Sequence, residues 1–167
     1  MVFYNKFIVM IFKNIKKDVP IKKIVLFILS FFIASTIIAN DSKKIEDDFL
    51  RENARKPGII VTASGLQYEI INAGAGSRPV ASDSIRFNYL LTLIDGTILE
   101  NYMYCEPLEL IPELLIKGME EGLLLMRVGS KYRFFIPSAL AYGSNGMGRI
   151  PPYTVFILEV ELHGINE

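Results

Sequence analysis

Ile116–Pro137 reads IKGMEEGLLLMRVGSKYRFFIP, and its two halves follow different periods. Across Pro112–Leu125 and its edge, Leu114, Leu115, Met119, Leu123 and Met126 recur at near-helical spacing, with Glu120 and Glu121 on the outward side. Gly118 and Gly122 shorten that helix to a few turns, since glycine inside a helix costs roughly 1 kcal/mol against alanine. Gly129 then breaks the pattern. Lys131–Ile136 alternates polar and apolar, as a strand does, and ends at Pro137.

Working outward, Ile85, Phe87, Tyr89, Leu91 and Leu93 fall at every second position, with Arg86, Asn88 and Thr92 between them. That pattern predicts a half-buried strand. Asp95-Gly96 follows, the preferred chemistry of a tight hairpin, and Thr97–Leu99 starts the return strand. Gly65–Ile71 alternates weakly and stops at the turn-rich Asn72–Ser77. Downstream, 143–152 is a Gly- and Pro-rich loop, GSNGMGRIPP, and Thr154–Leu162 is β-branched and apolar with Glu159 and Glu161 on its wet face. Strands outnumber helices around one short helix, which predicts an antiparallel α+β layer design. Residues 41–56 are charge-rich, with Ile45, Phe49 and Leu50 as their only bulky apolar side chains. They read as a short solvated helix ended before Pro57-Gly58. The expected division is a charged helix or linker over 40–57 and the main domain over 58–167.

The 167 residues are 51% apolar, enough for one domain with a proper core plus a short extension. The zero net charge hides an asymmetry: residues 1–39 hold six lysines against Asp18, leaving twelve basic and seventeen acidic residues in 40–167. An acidic domain argues against nucleic acid as a partner, because phosphates demand a basic face. The basic end reads as targeting. Lys22 and Lys23 precede an uncharged run from Ile24 to Ala39, long for a secretory signal core and short of the ~20 residues of a comfortable membrane span. Cleavage after Ala39 and an uncleaved signal-anchor both stay open, because Ile37 is not the small residue preferred at the −3 position. Either outcome keeps the basic flank in the cytoplasm and places the domain outside, with membrane contact only through this segment. Residues 10–39 alone make a more typical signal, so Met10 is an alternative start.

Most site chemistries have no residues to carry them. The only histidine, His163, lies at the tail of the last strand and reads as an edge residue, so a hydrolytic triad is excluded. No zinc-protease helix motif, Cys/His cluster, phosphate-loop or dinucleotide fingerprint is present. The glycines at 143–148 precede Ile-Pro-Pro rather than a helix and read as a plain loop. Cys105 is the single cysteine, which rules out an intrachain disulfide and suggests a small packing role. An enzyme built from these residues works without a nucleophile, a metal or a cofactor.

Several short motifs in register resemble an FKBP-type peptidyl-prolyl isomerase, of the bacterial macrophage infectivity potentiator kind. They are GLQYEII (65–71), the Tyr89 strand with IDGT (94–97), EPLEL (106–110), the stretch 116–137, LAYG (140–143), IPP (150–152) and LEVEL (158–162). Residues 49–66 also resemble the linker before the domain in that subfamily. The resemblance implies an antiparallel sheet wrapped around one short helix, and rotation about X–Pro bonds in exported, proline-containing polypeptides, in keeping with the bacterial periplasm. It places catalysis on Tyr89, Glu100, Ile116 (through its backbone N–H) and Tyr142 (through its hydroxyl). Leu99, Leu110, Leu115, Met119, Ile150 and Leu158 then form the apolar substrate wall, with Met119 as its floor.

This chain departs from the family's pattern at several of these positions. The family usually carries aromatics where Leu99, Leu110, Met119 and Leu158 stand, and this chain has no Trp. Glu100 replaces the usual Asp, and Asn88-Tyr89-Leu90-Leu91 replaces a His-Tyr-Thr-Gly type of motif. Methionine and leucine keep the wall apolar but lose the rigid aromatic shape. Three functions follow as rivals: an isomerase, a catalytically weak chaperone or binding module on the same fold, and a structural subunit tethered by its anchor. The few residues before Pro57 leave little room for the long dimerising helix of related proteins, and the oligomeric state stays open.

Overall fold

The computed structural model describes residues 41–166. Helix α1 spans 41–53. Strands β1 (Ile60–Val61), β2 (Gln67–Asn72), β3 (Ser84–Leu93), β4 (Ile98–Asn101) and β5 (Leu108–Leu110) follow, and a 3-10 turn at Pro112–Leu114 leads into helix α2 (Lys117–Leu125). Strands β6 (Lys131–Ile136) and β7 (Phe156–Asn166) close the order, separated by short turns at Ser138–Leu140 and Gly143–Asn145. All pairings are antiparallel in the order β1-β2-β6-β7-β3-β4, and β5 shares the outer edge of β3 with β4. The architecture is the expected α+β sheet wrapped around a short helix.

Alternation decides which face each strand gives to the core. One row across the sheet runs Tyr68, Phe134, Leu158, Leu91 and Glu100. The adjacent row holds Ile70, Tyr132, Val160 and Tyr89. From Phe134 to Leu91 and from Tyr132 to Tyr89 these side chains are buried, and they form the inner face. Each large apolar side chain withdrawn from water stabilises the fold by about 1.5–3 kcal/mol. The opposite face carries a ladder of ions: Arg133 pairs with Glu69 and Glu159, and Lys131 with Glu159 and Glu161. Pairs this exposed contribute little beyond solubility and register.

Helix α2 lies on the inner face, burying Met119 and Leu123. Gly118 and Gly122 do more than shorten it. A Cβ on Gly118 would stand 2.2 Å from Cγ2 of Ile136, and one on Gly122 would stand 2.9 Å from the Phe134 ring. The helix approaches β6 this closely because those two positions carry no side chain. At the hairpin after β3, Gly96 has φ +85° and the Leu93 N–H bonds the Thr97 carbonyl at 2.9 Å, as the Asp-Gly pair predicts.

Helix α1 is only half solvated. Glu46, Phe49 and Asn53 recur at helical spacing and face the domain: Glu46 and Asn53 are buried, and Phe49 packs its ring 6.1 Å from that of Phe135. Asn53 Nδ2 donates to Gln67 Oε1 at 2.9 Å, and Gln67 Nε2 donates to the Leu50 carbonyl at 2.8 Å. Charged composition predicts a solvated helix, but one stripe of three residues is enough to dock it. Residues 41–166 lie within one compact unit that includes α1. Among the described residues no helix is long and apolar enough to cross a membrane. The run Ile24–Ala39, with its signal or anchor reading, lies outside the described residues.

Candidate functional site

Strand β3 is paired along one edge by β7 throughout, but along the other by β5 at residues 85–87 and by β4 at 90–92. Between those two strands the chain 102–107 crosses the gap beside Asn88 and Tyr89. Tyr102 donates its N–H to the Tyr89 carbonyl at 2.8 Å. Buried Asn88 donates from Nδ2 to the carbonyls of Tyr102 (2.5 Å) and Cys105 (3.1 Å), while its Oδ1 meets His163 Nε2 at 2.6 Å. The loop is thereby fixed and Tyr102 lays its ring 5.3 Å from that of Tyr89. Cys105 is exposed, against the packing role expected of it, because this loop turns its side chain outward while its carbonyl faces Asn88.

Tyr89 donates its hydroxyl to the Glu100 carboxylate. Burial, then the bond to Glu100 and that negative charge, raise the phenol well above its ordinary value of 10.0, so it stays protonated as a donor. Glu100 reaches the inner face through a β-bulge. The pairs Thr92–Ile98 and Leu91–Glu100 leave Leu99 as an extra, unpaired residue. Leu99 is exposed in consequence.

The start of α2 supplies the second side of the site. After the turn at Pro112–Leu114 the chain stays extended for two residues, with Leu115 at ψ 172° and Ile116 at ψ 149°. Ile116 is therefore the N-cap, its carbonyl bonded to the N–H groups of Met119 and Glu120. Among the described residues its own N–H has no acceptor. A free donor at a helix N-terminus, where the backbone dipole is positive, suits a carbonyl oxygen. The third side is the loop from Pro137 to Val155, where Tyr142 sets its ring edge-on to Phe156 at 5.9 Å, and its hydroxyl has no hydrogen-bond partner among the described residues. Met147 and Ile150 exchange backbone hydrogen bonds across Gly148, so the glycine-rich stretch is a closed loop of its own.

Of the ten residues singled out from the sequence, Tyr89, Met119 and Leu158 sit in one buried cluster, and Leu115, Ile116, Tyr142 and Ile150 pack against it half-buried. Glu100 joins through Tyr89. Leu158 is wholly enclosed between Leu91 and Phe134, so it backs the site and offers no surface of its own. Leu110 is exposed opposite Ile85, four positions from Tyr89 along β3. The structure brings Leu108 in its place: opposite Phe87, half-buried and packed against the cluster. Leu108 and Leu110 share a face by alternation, and only the β3–β5 register separates them. Tyr102, also missed, has no sequence signal, because a loop places it. Among the described residues no three His, Cys, Asp or Glu side chains converge as a metal-binding group.

Residues 76–163 match the model of the FKBP-type peptidyl-prolyl cis-trans isomerase family, and 34–70 match the domain amino terminal to it. The FKBP-type peptidyl-prolyl cis-trans isomerase FkpA of Aeromonas hydrophila is 41% identical over 130 residues, 77% of this chain and 48% of that protein. The FKBP-type 22 kDa isomerase of Escherichia coli is 45% identical over 116 residues, 68% of this chain and 56% of its own length. The outer membrane protein MIP of Legionella longbeachae is 39% identical over 131 residues, covering 77% and 56%. The chain thus spans about half the length of the curated relatives it matches. Among solved structures, a peptidyl-prolyl cis-trans isomerase of Pseudomonas syringae superposes with a TM-score of 0.72 at 30% identity, covering 77% of this chain and 96% of that one. FkpA from Escherichia coli gives 0.74 at 30% identity, covering 90% and 75%. With the family model matching more than half of its residues, the chain belongs to the FKBP-type peptidyl-prolyl cis-trans isomerase family.

Proposed function

We propose that this chain catalyses cis–trans isomerisation of X–Pro bonds in exported polypeptides, without a covalent step or a cofactor. The observation that carries the reading is the convergence of Tyr89, Ile116, Met119 and Tyr142 on one apolar cluster, with an unused backbone donor at Ile116 and an unused hydroxyl at Tyr142. The X–Pro bond resists rotation by about 18–20 kcal/mol because resonance gives it double-bond character. Twisting removes the charge-separated form, so an apolar site favours the twisted amide over the planar one. Met119 takes the proline ring, with Leu115, Ile150 and Leu108 beside it. The Ile116 N–H and the Tyr142 hydroxyl hold the carbonyls that flank the bond, and the Tyr89–Glu100 pair fixes the wall behind it. Substrates reach the domain outside the cytoplasm, where the basic flank and apolar run of residues 22–39 direct it.

A second reading, a holding chaperone on the same fold, draws support from apolar side chains on the segments around the site: Tyr104 is 93% exposed, Leu114 73% and Met147 60%. Refolding of a test protein limited by proline isomerisation separates the two. An isomerase shortens the slow phase in proportion to enzyme concentration at substoichiometric ratios. A holdase suppresses aggregation of the same protein and leaves that phase unchanged.

A further inference from the structure

The Glu46 carboxylate is 7% exposed and accepts two hydrogen bonds from one residue ninety-two positions away: the Ser138 N–H at 2.6 Å and the Ser138 hydroxyl at 2.9 Å. Ser138 is itself 4% exposed. Bonds to an ionised acceptor are among the stronger ones, and a buried carboxylate that loses its donors is costly to keep. Glu46 is therefore a fixed point for the chain that leaves β6.

That chain leads to Tyr142 through two closed turns. The Leu140 N–H bonds the Pro137 carbonyl at 3.0 Å, the Ala141 N–H bonds the Ser138 carbonyl at 2.9 Å, and Tyr142 comes next. Helix α1 is held independently, by Phe49 on Phe135 and by the Asn53–Gln67–Leu50 bonds. It also stands over the returning stem of the same loop. Ser42, Ile45 and Glu46 face Pro151–Val155 across a cavity of about 260 Å³. Both ends of the segment carrying Tyr142 and Ile150 thus abut α1.

We propose that α1 is a working part of the site and that Glu46 is a positioning residue for Tyr142, acting through Ser138. The inference rests on the isomerase reading above and on the place of Tyr142 in it. Releasing Ser138 frees the first stem of the loop and lets the Tyr142 hydroxyl drift from the substrate carbonyl. Displacements of about 1 Å at such a group cost up to a hundredfold in rate.

The test is a double-mutant cycle on the full chain in detergent, with an X–Pro–Phe peptide, at a temperature where circular dichroism shows every variant folded. Glu46→Ala is expected to lower kcat/KM about fourfold, close to the loss from removing the Tyr142 hydroxyl itself, and Glu46→Gln to recover most of it, because the amide oxygen still accepts the Ser138 N–H. In a Tyr142→Phe background Glu46→Ala is expected to cost less than about twofold, since the hydroxyl it positions is gone. Arg51→Ala, at the exposed side of the same helix, leaves the rate unchanged. If Glu46→Ala does not fold, Ser138→Ala, which keeps the backbone bond and loses the hydroxyl one, is carried through the same cycle. An unchanged kcat/KM, or an equal loss with Tyr142 and with Phe at that position, would overturn the proposal. A wild-type chain that does not accelerate the peptide at all overturns the isomerase reading first, and this inference with it.

Discussion

Tyr89 reaches Glu100 because β4 carries one residue more than its ladder needs. Counted from the Asp95-Gly96 turn, a regular hairpin would set Glu100 opposite Leu90, on the outer face. The unpaired Leu99 moves it opposite Leu91, onto the face that Tyr89 shares. Tyr89→Phe is expected to lower stability by about 1 kcal/mol in urea unfolding, the net value of one such bond, and to lower isomerase activity several-fold. Glu100→Gln keeps an acceptor for the hydroxyl and is expected to retain most of both. Equal losses in the two variants would show that charge, not the bond, is what Tyr89 needs.

Burial of Tyr89, with its bond to Glu100 and that charge, gives the domain an alkaline limit. Tyr89 holds its proton more tightly folded than unfolded, so above pH 10 the unfolded chain binds fewer protons and stability falls as pH rises. The contribution is fully present below the ordinary tyrosine value of 10.0 and is lost progressively as pH rises from there toward the raised folded value. Urea midpoints from pH 8 to pH 11 are expected to fall more steeply for the wild type than for Tyr89→Phe. Parallel curves would mean that Tyr89 titrates normally.

Gly118 is required for contact rather than for flexibility. Alanine is the better helix former, yet its Cβ would press on Ile136 at 2.2 Å. Gly118→Ala is expected to destabilise by about 1–3 kcal/mol, the usual cost of overpacking. A stabilised variant would show that α2 can move off β6 freely.

Asn88 ties the 102–105 loop to β3 with two donated bonds and accepts a third at Oδ1 from His163 Nε2. Asn88→Ala is expected to speed amide hydrogen exchange across residues 101–106 while β7 keeps its protection. Exchange unchanged in that loop would place its anchorage in the Tyr102–Tyr89 backbone bond alone.

Strands and the hairpin were legible because alternation is a local signal: Lys131–Ile136 and the apolar positions of Ile85–Leu93 are strands as their pattern predicts. The helix was legible in position but not in its break, where Leu115 and Ile116 run extended before α2 and leave the Ile116 N–H, the donor of the proposed site, without an acceptor among the described residues. Three features escaped. The Leu99 bulge depends on register between strands, as does the choice of Leu108 over Leu110. The docking of α1 depends on Ser138, Gln67 and Phe135, which lie far along the chain. Cys105 looked like a packing residue because cysteine composition carries no information about which way a loop turns.

Catalysis through the Tyr142 loop is measured directly by isomerisation of a short X–Pro–Phe peptide by the purified protein beside its Tyr142→Phe variant. The expected result is concentration-dependent acceleration by the wild type that falls about fivefold in the variant, with both proteins folded by circular dichroism. A folded wild type that gives no acceleration at micromolar concentration would rule out catalysis by this loop and leave a proline-binding or chaperone module on an isomerase fold.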